Sequence, residues 1–403
     1  MTVDVRACRP EEVAQGLLPI FHFFGSTPSA DAVAMFDRLM PPGRLHAAFE
    51  DGRAVGGAGV FPFELTVPGG RVRAAGVTVV GVLPSHRRRG ILTALQRAQL
   101  DDVHARGEPV AYLWASEAGI YGRFGYGMAS LAGEIELPRD RSAYAQPFEP
   151  RGRVRLVDRN EALKQAQPVY DRVAHETPGM FGRSRDWWEL RALADPEWRR
   201  RGGGEMACAL LEVDGEVEAY ALYRLHPAFE HFTSTGRTEV IEALAVSPEA
   251  TAELWRFLLD VDWMSRIEAR LLPVDHPLFF LLAEPRRMQF MLSDALWVRL
   301  VDVGGALSGR SYLGDDEIVL DVLDAFCPWN EGRWRVAAGG AERTDAAADL
   351  RLEVSALGSV YLGGFTFAEL ARASRVEELQ PGALARADEL FRGDRAPWCV
   401  EIF

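Results

Sequence analysis

The sequence predicts α/β architecture followed by an α+β section, on three observations. A valine-rich run at 77–82 breaks at Pro84, crosses a basic turn and enters an amphipathic stretch at 91–100, the strand–turn–helix order of an α/β unit. The order returns further on, where residues 238–246 meet Pro248 and lead into an apolar helix at 250–259. From residue 296 onward alternating strands come first and two helices come last, the pattern of an α+β domain. With 403 residues and about 150 residues per domain, two or three domains are expected, each able to bury its own core.

Taken in order, residues 10–21 and 31–40 are candidate helices bracketed by Pro and Gly. The aromatic segment Phe21, His22, Phe23 and Phe24 between them has two open readings, core packing or the wall of a substrate pocket. Residues 45–50 and 54–60 read as strands, and Asp51-Gly52 between them is a hairpin signal. Residues 70–76 add strand and turn material, and the valines of 77–82 suit a buried strand. In the helix that follows, Ile91, Leu95, Ala98 and Leu100 lie near one face. Residues 110–115 read as the next strand.

Proline and charge between Pro138 and Arg151 close a first module at 1–150. A second, at 151–295, repeats the strand–turn–helix half around Asp214-Gly215 and Val246-Ser247-Pro248. Its turn, Ser247-Pro248-Glu249-Ala250-Thr251, has neither the arginines nor the glycine of the first copy. Glu249 there would repel a phosphate, so the second copy is expected to be a degenerate scaffold. The run Arg199-Arg200-Arg201-Gly202-Gly203-Gly204 imitates the first turn in composition only and is expected to be a flexible loop. A third section, 296–403, has strands at 296–303, 317–324, 330–336 and 350–354, covered by helices at 366–373 and 382–391.

Forty-five basic against fifty-eight acidic residues give a formal charge of −13, which disfavours nucleic acid as a partner and favours cationic substrates. Cys8, Cys208, Cys327 and Cys399 are scattered without a C-x-x-C pair, as expected of reduced thiols with no metal site. The longest apolar runs are too short to span a bilayer, and no signal-like core opens the chain, so a cytoplasmic protein is expected. There is no G-x-S-x-G, H-E-x-x-H or G-x-x-x-x-G-K-[ST], which removes the common hydrolase, zincin and P-loop chemistries.

The chemistry concentrates in two segments. In Arg87-Arg88-Arg89-Gly90-Ile91-Leu92-Thr93 the first helical N–H groups lack internal partners and Gly90 lets a ligand approach the backbone, so the turn suits an anion. Its spacing resembles motif A of the GNAT acetyltransferases, Arg/Gln-x-x-Gly-x-Gly/Ala, although Leu92 departs from the last position. One strand later, Tyr121-x-x-x-Gly125-Tyr126 resembles the GNAT Tyr-x-x-x-Gly-Phe signature. Together, Ser85-His86-Arg87-Arg88-Arg89-Gly90-Ile91-Leu92 and the run from Ala115 to Gly127 are similar to the enhanced intracellular survival (Eis) family of N-acetyltransferases, which tolerates leucine at that position.

The resemblance spans the chain and implies two GNAT-like modules followed by a domain like a sterol carrier protein. It implies acetyl-CoA as cosubstrate. The acetyl and pantetheine end would lie on the backbone of Val80, Gly81 and Val82, the pyrophosphate on Arg88, Arg89, Gly90, Ile91, Leu92 and Thr93, with further contacts from Ser116 and Glu117. It further implies Tyr121 as general acid and the terminal carboxylate of Phe403 as general base, amines such as aminoglycosides or lysine side chains as acceptors, and a homohexamer. The apolar tail from Ala396 to Phe403 is itself expected to be docked, either for that role or as a last β-strand. The competing expectation is a non-catalytic protein that binds acyl-CoA or lipid through its last domain.

Overall fold

The computed structural model describes residues 3–403. They fall into two compact units, one formed by the chain up to Ser130 with 295–397 and 402–403, the other by 131–294 with 398–401. No described helix is long and apolar enough to cross a membrane.

In the first unit the chain runs β1 (Asp4–Ala7), α1 (Val13–Phe23), α2 (Ala30–Leu39), β2 (Leu45–Glu50), β3 (Arg53–Val67), β4 (Gly70–Val82), α3 (Ile91–Ala105), β5 (Val110–Trp114), α4 (Ala118–Tyr121) and β6 (Gly127–Met128). The predicted hairpin joins β2 to β3 with Asp51 and Gly52 both at positive φ, as a tight two-residue turn requires. The aromatic segment does not separate the first two helices. Phe21, His22 and Phe23 form the last turn of α1.

The strands make a seven-stranded sheet in the order β1, β2, β3, β4, β5, Leu296–Leu300, β6, in which only β4 and β5 run parallel. Helix α3 packs Ile91 and Leu95 onto Ala48, Val55 and Ala58. Its Leu100 and Val103 meet Val60, Ala75, Val77, Ala111 and Leu113. Each such leucine or isoleucine is worth about 1.5–3 kcal/mol of burial, so this face fixes where α3 begins. Two glutamines also point inward from α3. Gln99 donates to the Gly59 carbonyl at 3.1 Å and accepts from Gln96 Nε2 at 3.2 Å, while the buried Gln96 Oε1 has no hydrogen-bond partner among the described residues.

Strand pairing departs from the expected boundaries. Leu131–Pro138, expected in the first module, is a strand of the second unit's sheet, and Leu296–Leu300, expected in the third, lies between β5 and β6. The proline and charge that suggested a boundary at 150 mark an irregular connection, whereas the sheet changes hands twenty residues earlier, where nothing in composition changes.

The C-terminal section belongs to the first unit. Its five-stranded sheet has the order Gly340–Arg343, Gly332–Ala337, Glu317–Leu323, Leu350–Glu353, Val376–Glu378. Helices Phe367–Arg372 and Ala383–Phe391 fall where expected, the first closed by a Thr366–Glu369 capping box. Ile318, Leu320, Val322, Leu350, Leu352, Leu357 and Val360 fill the interior at 2% exposure or less.

In the second unit the sheet order is Met291–Asp294, Leu131–Pro138, Arg266–Leu272, Arg237–Ala245, Glu216–His226, Ala207–Val213, Arg153–Val157, with a single parallel pair between Arg237–Ala245 and Arg266–Leu272. The arginine–glycine run there is a loop only from residue 201 to residue 204. Glu197–Arg200 is a helical turn, and Arg200 joins Arg159 and Arg224 around the fully buried carboxylate of Asp195 at 3.2, 3.1 and 2.9 Å. The acidic partner sits five residues before Arg200, and a reading by composition missed it.

Candidate active site

Parallel pairing between β4 and β5 lasts only three positions, Ala74 with Val110, Ala75 with Ala111 and Gly76 with Tyr112. β4 then continues to Val82 with β3 as its partner. Opposite β3 the register slips: Gly57 pairs with Gly81 and Gly59 with Thr78, which leaves Val79 and Val80 facing Ala58 as a bulge. Val79 has φ +47°, a left-handed conformation in a β-branched residue that costs on the order of 1–3 kcal/mol. The strands thus fork beyond Gly76, and the β5-facing edge from Val80 to Val82 offers backbone hydrogen bonds to an extended ligand.

At the far end of the fork, a single turn at Pro84–His86 leads through Arg88, at φ +62°, to Gly90. Gly90 is the N-cap of α3 at φ +78°, makes no side-chain cap and has open space where a Cβ would be. The first N–H groups of this fifteen-residue helix therefore point outward, a ready seat for an anion. Around it Arg87 lies 4.9 Å over the Phe23 ring and Arg88 is exposed. Arg89 is differently placed. Both its terminal nitrogens bond the Glu50 carboxylate, which also takes His86 Nε2 at 2.8 Å, and Arg89 is the main reason that carboxyl is held down at about 2. Its guanidinium braces the turn. Ile91 is buried in the core and Leu92 half-buried, so these two present their backbones, while Thr93 is exposed.

Ser116 and Glu117 are exposed just past the end of β5, and one helical turn, α4, carries Tyr121. Tyr121 is 6% exposed, and its ring meets Tyr126 edge to face at 5.8 Å. Burial, helped by the negative charge of Glu117, pushes its phenol up to about 12. Burial pushes Tyr126, with no exposed surface, further still.

The last residue also reaches this fork. Phe403 packs its ring at 4.8 Å from Tyr112 and 5.2 Å from Phe63, both edge to face, and is 7% exposed. Tyr112 is the residue at which β4–β5 pairing ends, so the terminal ring sits at the apex. No strand forms in the tail, which rules out the expectation of a last β-strand. Phe63 and Tyr112 were not singled out from the sequence, where they read as ordinary strand residues. The aromatic row continues through Phe61, Phe36 and Phe21 at 5.9, 5.9 and 6.4 Å, so Phe21 is packing, while Phe23 and Phe24 are exposed at its end.

Residues 4–129 match the family model of an acetyltransferase (GNAT) domain, 179–300 a second acetyltransferase (GNAT) model, and 303–400 a sterol carrier protein domain. The chain is 45% identical to an uncharacterized N-acetyltransferase of Streptomyces coelicolor over the full length of both. To N-acetyltransferase Eis of Mycobacterium tuberculosis it is 37% identical over 358 residues, 84% of this chain and 83% of that one. The chain belongs to the Eis family of GNAT N-acetyltransferases. The crystal structure of Eis1 from Mycobacterium abscessus superposes with a TM-score of 0.86 at 35% identity, over 99% of this chain and 100% of that one.

The second GNAT module of this Eis-family enzyme is degenerate in structure as in sequence. Ser247 caps helix Pro248–Leu259 by accepting from Ala250 N at 3.1 Å, and Glu249 is exposed in its first turn, so the site offers an anion a capped end and a like charge. Its strands also part, after Val240 and Ala269. Just beyond, the Leu271 carbonyl accepts from Trp398 Nε1, and Trp398 and Val400 join the core beside Leu244. Glu401 follows, bonded to Arg183 at 2.9 Å and Trp187 at 2.8 Å. The tail therefore fills this module.

Proposed function

We propose that this Eis-family enzyme transfers acetyl from acetyl-CoA to amino groups of cationic acceptors, aminoglycoside-like polyamines or lysine side chains. The observation that carries the reading is the fork itself: β4 and β5 part after Gly76, the uncapped N-terminus of α3 follows the end of β4, and Tyr121 stands one turn past the end of β5. The residues fit the cosubstrate in order along the fork. The outward N–H groups after Gly90, with Arg88 nearby, would hold the pyrophosphate, and the bulged edge Val80–Val82 would pair with the pantetheine amides. Ser116 and Glu117 flank the entrance from β5.

In the reaction the Phe403 carboxylate takes a proton from the substrate ammonium, directly or through water. The free amine attacks the thioester carbonyl to form the C–N bond, the C–S bond breaks as the Tyr121 hydroxyl gives its proton to the departing sulfur, and the proton shed by the new amide nitrogen returns through water to the Tyr121 oxygen. A formal charge of −13 draws cationic amines toward the protein. A homo-oligomer, hexameric by family resemblance, and a cytoplasmic location belong to the same proposal.

The test is coenzyme A release that depends on an added amine, screened over polyamines and peptides with a thiol reagent. Release without an amine requirement, or tight acyl-CoA binding with no turnover across the panel, would overturn the reading. Tyr121→Phe is expected to lower kcat by about a hundredfold, the lower end for a lost general acid, with acetyl-CoA affinity kept. A phenol raised to about 12 stays protonated throughout the assay range. The rate should therefore climb with pH as the amine deprotonates and show no downturn from Tyr121 below about pH 10. A downturn near pH 8 that disappears in Tyr121→Phe would contradict the raised phenol, and turnover unchanged in Tyr121→Phe would remove the assignment.

A further inference from the structure

The Tyr121 turn is held from beneath by a buried ion pair that the reaction as described does not use. Tyr121 to Tyr126 is a closed turn, with Gly125 N bonded to Gly122 O at 3.0 Å and Tyr126 N to Tyr121 O at 3.4 Å. Under it lies Arg299 from the strand Leu296–Leu300. A Cβ at position 125 would stand 2.1 Å from Arg299 Nη1 and 2.9 Å from Val354 Cγ1, and Gly125 has φ +86°, so the turn rests directly on the guanidinium. Arg299 has no exposed surface and gives Nη2 to both oxygens of Asp324, at 2.9 and 2.7 Å. Asp324 comes from the sterol-carrier-like section, is 2% exposed, and also accepts from Cys327 N at 3.0 Å and Asn330 Nδ2 at 2.9 Å. Phe326, two residues on, packs edge to face against Phe124 at 5.2 Å.

Stability alone is a poor reason for such a pair, because burying both charges costs several kcal/mol per ion, roughly what their attraction returns. What an ion pair adds over an apolar filling is direction: a planar guanidinium fixed by one carboxylate leaves its neighbour one resting place. We propose that Arg299 and Asp324 are positioning residues for the general acid. The sterol-carrier-like section, through Asp324, sets the height and tilt of the Tyr121–Tyr126 turn and so the aim of the Tyr121 hydroxyl. This gives that section a part in the acetyl transfer itself, and it rests on the reading of Tyr121 as general acid.

The experiment uses the full chain with Arg299→Met and Asp324→Leu together, so that neither charge is left alone in the core, and in parallel the milder Asp324→Glu. Each is made in the native and in the Tyr121→Phe background, with kcat, amine KM, acetyl-CoA Kd by calorimetry and thermal midpoint measured for all. The expected result is a kcat lowered about tenfold to a hundredfold, as for a catalytic group displaced by an ångström. Acetyl-CoA Kd should stay within about twofold, and Tyr121→Phe should show no further loss of kcat beyond about twofold. Unchanged kcat, or the same fold-loss in both backgrounds, would show the pair to be core packing and overturn the proposal. If the paired replacement fails to bind acetyl-CoA because it does not fold, Asp324→Glu decides by the same two readings. Full turnover in Tyr121→Phe by itself is the separate failure of the general-acid reading, and the positioning role falls with it.

Discussion

Extending the chain past Phe403 by a short tag should abolish amine acetylation while acetyl-CoA binds as before. The first appended residue converts the terminal carboxylate into a peptide amide, which accepts a hydrogen bond but has no useful basicity at neutral pH. The ring can stay, since its contacts with Phe63 and Tyr112 are side-chain contacts, each aromatic pair worth about 0.5–1.5 kcal/mol. Loss of the general base should lower kcat by on the order of a hundredfold to ten-thousandfold. Deleting Phe403 should do as much by another route, because the new carboxylate stops about 3.5 Å short and the apex loses its ring. An α-carboxyl has an ordinary pKa of about 3.3–3.7 and is a weak base. Calorimetry with acetyl-CoA and a thiol-release assay on tagged and untagged protein separate the two functions. Full turnover by a chain extended by several residues would refute the role.

What could be read from the sequence follows how local each feature is. The basic turn is contiguous, so its strand, its glycine and its helix all stand within residues 77–100, and they fold as read. The Tyr121 segment and the docked tail are contiguous too. Partners far along the chain left no such mark. Arg89, which the resemblance puts among the pyrophosphate-holding residues, also pairs with Glu50, and only the fold brings that residue, thirty-nine positions away, onto its guanidinium. Arg299 and Asp324 are twenty-five residues apart in unremarked strand sequence, and nothing in either segment reports the other. Of the apex residues, Phe63 lies on a fifteen-residue strand and Tyr112 on a five-residue one, and the apolar character of each segment says only that it is buried. Pairing of Leu296–Leu300 with β5 crosses nearly two hundred residues, beyond any periodicity argument.

Gly90→Asp should all but eliminate acetyl-CoA binding in a protein that still folds. The position has φ +78°, which costs a non-glycine residue about 1–2 kcal/mol, least for Asn and Asp, and a Cβ there meets nothing within 4 Å. The fold should survive that cost. What the substitution changes is the sign of the field at the N-terminus of α3, where the helix dipole and outward N–H groups favour negative charge. A carboxylate about 4 Å from a phosphate is repelled by about 1 kcal/mol in bulk water and about 4 kcal/mol near a protein surface, and the cosubstrate has two phosphates in its pyrophosphate. A loss of affinity of about a hundredfold or more follows. Gly90→Asn is the control, since it carries the same backbone cost and nearly the same shape without the charge. If charge is the cause, Asn retains most of the affinity, and the gap between the two variants narrows at high ionic strength as the exposed carboxylate is screened. Equal losses in both variants, insensitive to salt, would mean that the backbone of the turn was disturbed. Undiminished affinity in Gly90→Asp would place the pyrophosphate elsewhere, and the order of contacts from Gly90 to Phe403 would have to be redrawn.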